Sequence, residues 1–382
     1  MQRGDNLSIS TELVDARDNS HIWGQQYDRK LADAIAVRDE ISKEMTTALR
    51  IRLTGEDEKR MAKSYTVNPE AYQDYLKGRY WWNKRTEDSL NKAAEFFQQA
   101  IAKDPAYALA YSGLADAYTL LPEYSDADPK QVLPKAKAAA QKALELDDSL
   151  AEAHASLGLL DEVDYDWPTA EREFQRAISL NPSYATAHQW YAMALTQTGK
   201  LGESGAELRS ALALDPLSLI INENLAEVLC YERQYDQAIA QERKTLELDP
   251  SFPSARTFLG VVLVQMGSYQ EGITEIEKVR ASVPGDELSL TALGYAYARA
   301  GKRAEAQKIL DQLVALSKQK YVTPWFLGFI YAGLGEKDKA FEWLAKSVDD
   351  RSAVNLKVDL TWDPLRSDPR YAGLLRRMNL QP

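Results

Sequence analysis

An all-α solenoid of about eight stacked helical hairpins, fronted by a small β-β-α segment and closed by a capping helix, follows from three features of this sequence. Prolines recur 34 residues apart at Pro182, Pro216, Pro250 and Pro284, in the contexts SLNPS, ALDPL, ELDPS and SVPGD. Glycines at Gly199, Gly267, Gly301 and Gly335 keep the same phase. Between these marks, small and large apolar residues alternate at fixed positions. A period in this range is the mark of a repeat architecture, in which each unit hides its apolar side against its neighbours.

The chain opens on a different pattern. Residues 7–14 (LSISTELV) alternate in polarity, the period of a half-buried strand, and a turn at Asp18-Asn19 leads to a second strand over His21–Tyr27. Leu31, Ile35, Val37, Ile41, Met45, Leu49 and Leu53 then describe a long amphipathic helix, so residues 1–60 form a β-β-α unit distinct from the repeats.

The repeats span residues 70–352. Proline has no N–H and disfavours helix in the residue before it, so each proline, Pro105 included, ends one hairpin and opens the next. The glycines mark the end of the first helix of a hairpin, where a left-handed cap is wanted. Ala170, Ala177, Ala211, Ala238, Ala306 and Ala340 sit where two helices approach closely. Leu157, Tyr191, Leu225, Leu259, Leu293 and Leu327 fill the complementary slots at intervals of 34. The second unit has about nine extra residues between Leu120 and Pro134, expected to form a loop with Pro122 and Pro129. The fifth unit puts Glu242 and Thr245 in the places of Phe174 and Ala177, and the sixth has Gly272 for alanine. After Asp368-Pro369, Tyr371, Leu374, Leu375 and Met378 fall at helical spacing and predict a cap on the last hairpin within residues 353–382.

His154, Leu157, Gly158, Ala170, Phe174, Ala177 and Pro182 resemble the tetratricopeptide-repeat (TPR) family slot for slot. The resemblance implies a right-handed superhelix whose first helices line a concave side. The segment NLSISTELVDARDNSHIWGQQYDR resembles the closing half of the TolB-type amino-terminal domain, which sits between an effector and a TPR array in bacterial kinase and winged-helix signalling proteins. Two strands and one helix are too little for an independent sheet domain. The expectation is therefore that residues 1–60 are what remains of a larger α/β domain.

Composition excludes several function classes. With 46 basic against 57 acidic residues the net charge is −11, which disfavours nucleic acid and favours a neutral or basic partner. The single cysteine, Cys230, allows neither an internal disulfide nor a Cys-cluster zinc site. No apolar run is long enough to span a bilayer, and Asp5, Glu12, Asp15 and Asp18 occupy the place of a signal peptide. The chain as written is expected in the cytoplasm without membrane contact. An upstream membrane segment in a full-length parent would put it on the other side.

No catalytic or metal-binding residue and no cofactor site is expected. His154 and His188 share one slot of adjacent units, where packing is the ordinary role, and no phosphate-binding loop, dinucleotide fingerprint or nucleophile elbow occurs. The acids Asp161, Glu162, Asp164 and Asp166 lack the glycine and distal glutamate of a calcium loop. Of Tyr80, Trp81 and Trp82, one ring is expected to lie exposed.

The groove is the candidate site. In the TPR family the fifth, ninth and thirteenth positions of each first helix contact bound peptide, which implies Gln189, Met193 and Gln197; Glu223, Glu227 and Tyr231; Thr257, Val261 and Gln265; Thr291, Tyr295 and Arg299; Trp325 and Phe329. The lysine–asparagine carboxylate clamp of chaperone-tail domains is absent at the matching positions. This lining implies a protein or peptide partner that is extended and offers apolar and basic side chains, bound by a non-catalytic scaffold of a bacterial signalling protein. Self-association through the hairpin and caps is the alternative.

Overall fold

The computed structural model describes residues 2–3, 6–15, 18, 20–30, 33–49, 66–125, 127–352 and 355–381. Of the sequence-derived elements, Asn19, Leu31 and Leu53 lie outside the described residues.

Strands β2 (Asn6–Asp15) and β3 (Ser20–Lys30) pair antiparallel, with Ile9 opposite Tyr27, and the two-residue β1 (Gln2–Arg3) lies on the outer side of β2. Helix α1 (Ala34–Ala48) packs on this hairpin through Val37 and through the Tyr27 hydroxyl, which donates to Glu44 Oε2 at 2.8 Å. The unit touches the first repeat through Arg38, whose guanidinium lies 5.5 Å from the Tyr72 ring.

Eight hairpins follow among the described residues: α2 (Pro69–Trp82) with α3 (Glu87–Lys103), α4 (Ala108–Tyr124) with α5 (Pro129–Leu146), α6 (Ala151–Val163) with α7 (Trp167–Leu180), α8 (Ala185–Thr198) with α9 (Leu201–Leu214), α10 (Leu219–Tyr231) with α11 (Tyr235–Leu248), α12 (Pro253–Gln265) with α13 (Tyr269–Ser282), α14 (Glu287–Arg299) with α15 (Arg303–Leu316), and α16 (Pro324–Gly333) with α17 (Lys337–Asp349). Side-chain caps start many of them. Asn68 accepts from the backbone N–H groups of Glu70 and Ala71 ahead of Pro69, Thr86 and Ser89 form a reciprocal capping box, and Ser218 and Asp286 cap the fifth and seventh hairpins.

One slot repeats through the core. Phe174, Leu208, Glu242, Ile276, Leu310 and Leu344 stand 34 residues apart on successive second helices, each 0–1% exposed. Burying an apolar side chain of this size contributes about 1.5–3 kcal/mol, and Glu242 is the one carboxylate in the series. Opposite the slot the first helices carry Gly158, Gly260, Gly294 and Gly328. A β-carbon at Gly260 would lie 2.5 Å from Ile276 Cγ1 and 2.8 Å from the Gly272 carbonyl, so two backbones approach where alanine does not fit.

The expected left-handed caps are present at Gly199, Gly267, Gly301 and Gly335, with φ of 87°, 91°, 74° and 73°. The same position, two residues before the second helix, is left-handed in three other hairpins without glycine, at Arg85 (φ 52°), Tyr165 (φ 60°) and Arg233 (φ 61°). The second hairpin departs from expectation. Its extra residues are not a loop but lengthen both helices, α4 to 17 and α5 to 18 residues. Pro122 falls in the last turn of α4, Pro129 opens α5, and Pro134 in its second turn forgoes one hydrogen bond, while Leu120, Leu121 and Pro129 are buried.

After the last hairpin come a 3-10 helix, Leu360–Leu365, and α18 (Pro369–Arg377), capped by Asp368. Helix α18 covers α17 with Tyr371, Leu374 and Leu375, as the stripe predicts, and the Arg370–Asp338 ion pair holds its start. It also reaches much further. Trp167 Nε1 donates to the Met378 carbonyl at 2.6 Å and Asn379 Nδ2 to the Tyr165 carbonyl at 3.1 Å, which joins the third hairpin to the end of the chain.

Candidate functional site

The fourteen residues singled out for the groove fall into two groups on the first helices. In hairpins four and five, Gln189 Nε2 donates to Asn224 Oδ1 at 2.8 Å, Ser254 Oγ donates to Glu223 Oε1, and the Tyr231 hydroxyl donates to Glu227 Oε1 at 3.4 Å. Gln197 reaches back to Glu162 at 2.6 Å, and Met193 is half-buried beside it. In hairpins six to eight, Gln265 Nε2 and Arg299 Nη1 both donate to the Tyr295 hydroxyl, at 3.0 and 2.8 Å. The Tyr295 ring lies 4.5 Å from Phe329, which is 5.7 Å from Trp325. Thr257 and Thr291 are buried with unpartnered hydroxyls, and Val261 is half-buried.

Tyr231 of the first group and Gln265 and Phe329 of the second meet the same stretch of polypeptide, residues 355–366. Asn355 Nδ2 donates to the Tyr231 hydroxyl at 3.1 Å, Gln265 Nε2 donates to Thr361 Oγ1 at 3.2 Å, and Trp362, 1% exposed, packs its ring 5.8 Å from Phe329. Leu360 joins Cys230, Leu259 and Leu263 in one apolar cluster, and Arg233 pairs with Asp363 at 2.5 Å. One segment touching the first helices of four successive hairpins means that those helices face a common interior. Arg366 holds the segment's bend, donating to the Lys357 and Asp359 carbonyls at 2.6 and 3.0 Å and to Asp363 Oδ1 at 2.8 Å. Beside the bend, Arg233, Gln265, Tyr295, Arg299, Thr361 and Asp363 line a cleft of about 490 Å³.

Sequence reasoning missed this segment, although a signal was there. Leu356, Val358, Leu360 and Trp362 alternate with Lys357, Asp359 and Thr361, and all four are buried. Apolar residues at this density mark a stretch that needs cover, but their period of two misstates the backbone, which turns and enters the 3-10 helix Leu360–Leu365 with Thr361 buried as well.

The charge around the groove is divided, and one acid lies behind the lining in the core slot of hairpin five. Glu242 is fully buried, both of its carboxylate oxygens lack a hydrogen-bond partner, and burial followed by the nearby Glu223 and Glu227 pushes its acid well above the usual range. The segment itself adds Asp359, whose enclosed carboxyl is raised by burial to about 6. Burial also pushes up the Tyr231 hydroxyl and the Cys230 thiol, each of which faces Asp359 and Glu227. Arg233 and Arg299 stand at the other end of the segment.

The remaining candidates have structural partners. His154 Nδ1 meets Glu173 at 2.6 Å and its Nε2 meets the Asp148 carbonyl at 3.0 Å, and His188 repeats both contacts with Glu207 and Pro182. Arg256 does the same with Glu275 and Pro250, so this position ties a loop to a second helix in one hairpin after another. Trp82 is buried under Arg79 and Arg85 and packs 6.2 Å from Trp190, while Tyr80 is 56% exposed. Of the acidic run, Asp164 pairs with Lys137 at 3.1 Å and Asp166 caps α7. No helix among the described residues is long and apolar enough to cross a membrane.

A solenoid of helical hairpins with an inward-facing lining of first helices is the class of protein defined here. Residues 166–218 match the family model described as tetratricopeptide repeat, and residues 229–339 match that of the Psidin N-terminal TPR repeats region. The hairpin array is a tetratricopeptide-repeat array. Over 155 residues the chain is 30% identical to a protein of Rhizobium meliloti (strain 1021) named "Putative adenylate cyclase 3", covering 40% of this chain and 26% of that one. The chain thus spans about a quarter of that relative's length. Among solved structures it is similar to Pseudomonas aeruginosa pilF, at 23% identity and a TM-score of 0.43 over 56% of this chain and 92% of that one. It is also similar to yeast Tom70, at 16% identity and a TM-score of 0.48 over 80% and 67%.

Proposed function

We propose that this protein is a non-catalytic scaffold that holds an extended peptide or protein segment against the inner faces of its first helices, as the interaction part of a bacterial signalling protein. The observation that carries this reading is the set of contacts to residues 355–366. The lining already grips a polypeptide, through side-chain hydrogen bonds and one enclosed aromatic ring. Glu223 and Glu227 suit a partner with basic as well as apolar side chains. The cyclase name of the Rhizobium relative, and the quarter of its length that matches, support a place beside an effector in a larger chain.

A photo-crosslinking side chain at Met193 or Arg299 tests the reading against the same group at the exposed Lys308 on α15. Partner adducts from the two inner positions and none from Lys308 are expected. Equal capture from all three would refute the groove.

Self-association is a second reading, favoured by β3, which among the described residues has a neighbour on one edge only. A concentration-independent monomer in light scattering would remove it.

A further inference from the structure

We propose that residues 355–366 are an internal occupant of the groove, displaced by a partner segment that carries an aromatic residue in the place of Trp362, a basic residue in the place of Asp359 and an acid in the place of Asp363. The proposal rests on the groove being the partner site.

Three observations lead to it. The segment is held at several points by side chains of the lining, as a bound peptide is, and apart from the short 3-10 helix Leu360–Leu365 it has no regular structure of its own. Its fit is imperfect. The Trp362 indole N–H is buried with no acceptor, a loss that a bound ligand with a better-placed donor would not carry.

The third observation is the charge left behind when the segment leaves. Arg366 is the basic group that stabilises the Asp359 carboxylate, and it belongs to the segment and departs with it. The lining then presents Glu227, with Glu223 one helical turn before it, beside the Asp359 place, and Arg233 and Arg299 near the Asp363 place. A basic residue, then an aromatic three positions on, then an acid, complements that order of charge better than the chain's own Asp359, Trp362 and Asp363.

The probe is a fluorescein-labelled peptide of residues 355–366 in which Asp359 is replaced by lysine. Its binding is measured by anisotropy to the whole chain and to two full-length variants, Trp362→Ala and Arg366→Ala, with helicity checked by circular dichroism. The second variant loosens the bend and leaves the apolar contacts in place. At least tenfold tighter binding to a folded variant than to the wild type is expected. Loss of binding is expected when the peptide's own tryptophan is changed to alanine, and weaker binding when its lysine is returned to aspartate. Affinities equal within twofold for wild type and folded variants would overturn the proposal, as would binding that leaves amide exchange in residues 355–366 unchanged. Crosslinked partners at Met193 without any peptide competition would sink this inference alone. Tight peptide binding without crosslinked partners would instead sink the scaffold reading.

Discussion

Arg233 and Asp363, 130 residues apart, meet in a 2.5 Å ion pair, and Arg233 makes it from a left-handed backbone conformation. Glycine holds that lattice position in four hairpins. Arg85 and Tyr165 are the other exceptions, and the Tyr165 carbonyl receives Asn379 from the end of the chain, while Arg85 lies over the Trp82 ring. Two of the three positions that give up glycine are therefore in contact with the C-terminal segment. At Arg233 and Tyr165 the local backbone penalty accompanies a contact with distant chain.

Arg233→Gly tests this relation. The left-handed strain relieved is about 1 kcal/mol, and a pair this exposed contributes less than about 1 kcal/mol, so global stability is expected to move by under about 1 kcal/mol. Amide exchange in residues 357–366 is expected to accelerate severalfold with the hairpins unchanged. Uniform exchange across the chain would show that the pair holds nothing in particular.

Glu242 occupies a slot that leucine fills at Leu208, Leu310 and Leu344. Glu242→Leu is expected to stabilise the array by roughly 1–4 kcal/mol, since an unpartnered buried acid is replaced by a packed apolar group. In the wild type the acid is raised above its unfolded value by burial, with Glu223 and Glu227 adding to the effect. Its contribution is complete below the unfolded value and is lost as pH rises through the folded one, by up to about 1.4 kcal/mol per pH unit. Denaturant titrations at pH 5, 7 and 9 should fall for the wild type and lie flatter for Glu242→Leu.

Asp359 gives the segment its own pH dependence. Its carboxyl, raised by burial to about 6, faces Arg366 and Asp363 on its own stretch, Tyr231 and Cys230 on α10, Tyr295 on α14 and Tyr371 on α18. Docking is complete below the unfolded carboxylate value and weakens as pH rises through about 6. Exchange protection of residues 357–366, corrected for intrinsic rates, should drop between pH 5 and pH 7.5. Asp359→Asn keeps the acceptor for the Thr361 N–H and should abolish the change.

Gly260→Ala probes the close approach of α12 and α13. The added methyl meets the Gly272 carbonyl as well as Ile276, so the backbone itself must move, at about 1–3 kcal/mol. A melting temperature equal to the wild type would mean that the two helices separate more easily than their packing implies.

The hairpins were legible because their determinants are local and repeated. Pro182 and its successors interrupt helices, Gly199 and its successors turn them, and Phe174 packs against Gly158 in a slot recognisable from spacing alone. The extra residues of hairpin two form helix in place of the expected loop because their prolines do not break it. Pro122 and Pro129 in fact sit at helix ends, where the missing N–H matters least. The groove residues were identifiable only through family resemblance. What fills the groove was not legible, since the contacts of Asn355, Thr361 and Trp362 span 33 to 124 residues and repeat nowhere. The apolar residues set between Lys357 and Asp359 announce a stretch that needs cover but not its destination.

The hydrogen bonds from Trp167 to Met378 and from Asn379 to Tyr165 act as a clasp on a string of beads. An open string frays one bead at a time from either end, and its strength is a sum over adjacent pairs. With the clasp shut, the hairpins from the third to the eighth lose that freedom and melt together. Threading the tail home also joins residues more than 200 apart, which makes closure the late, slow event in the life of each newly made chain.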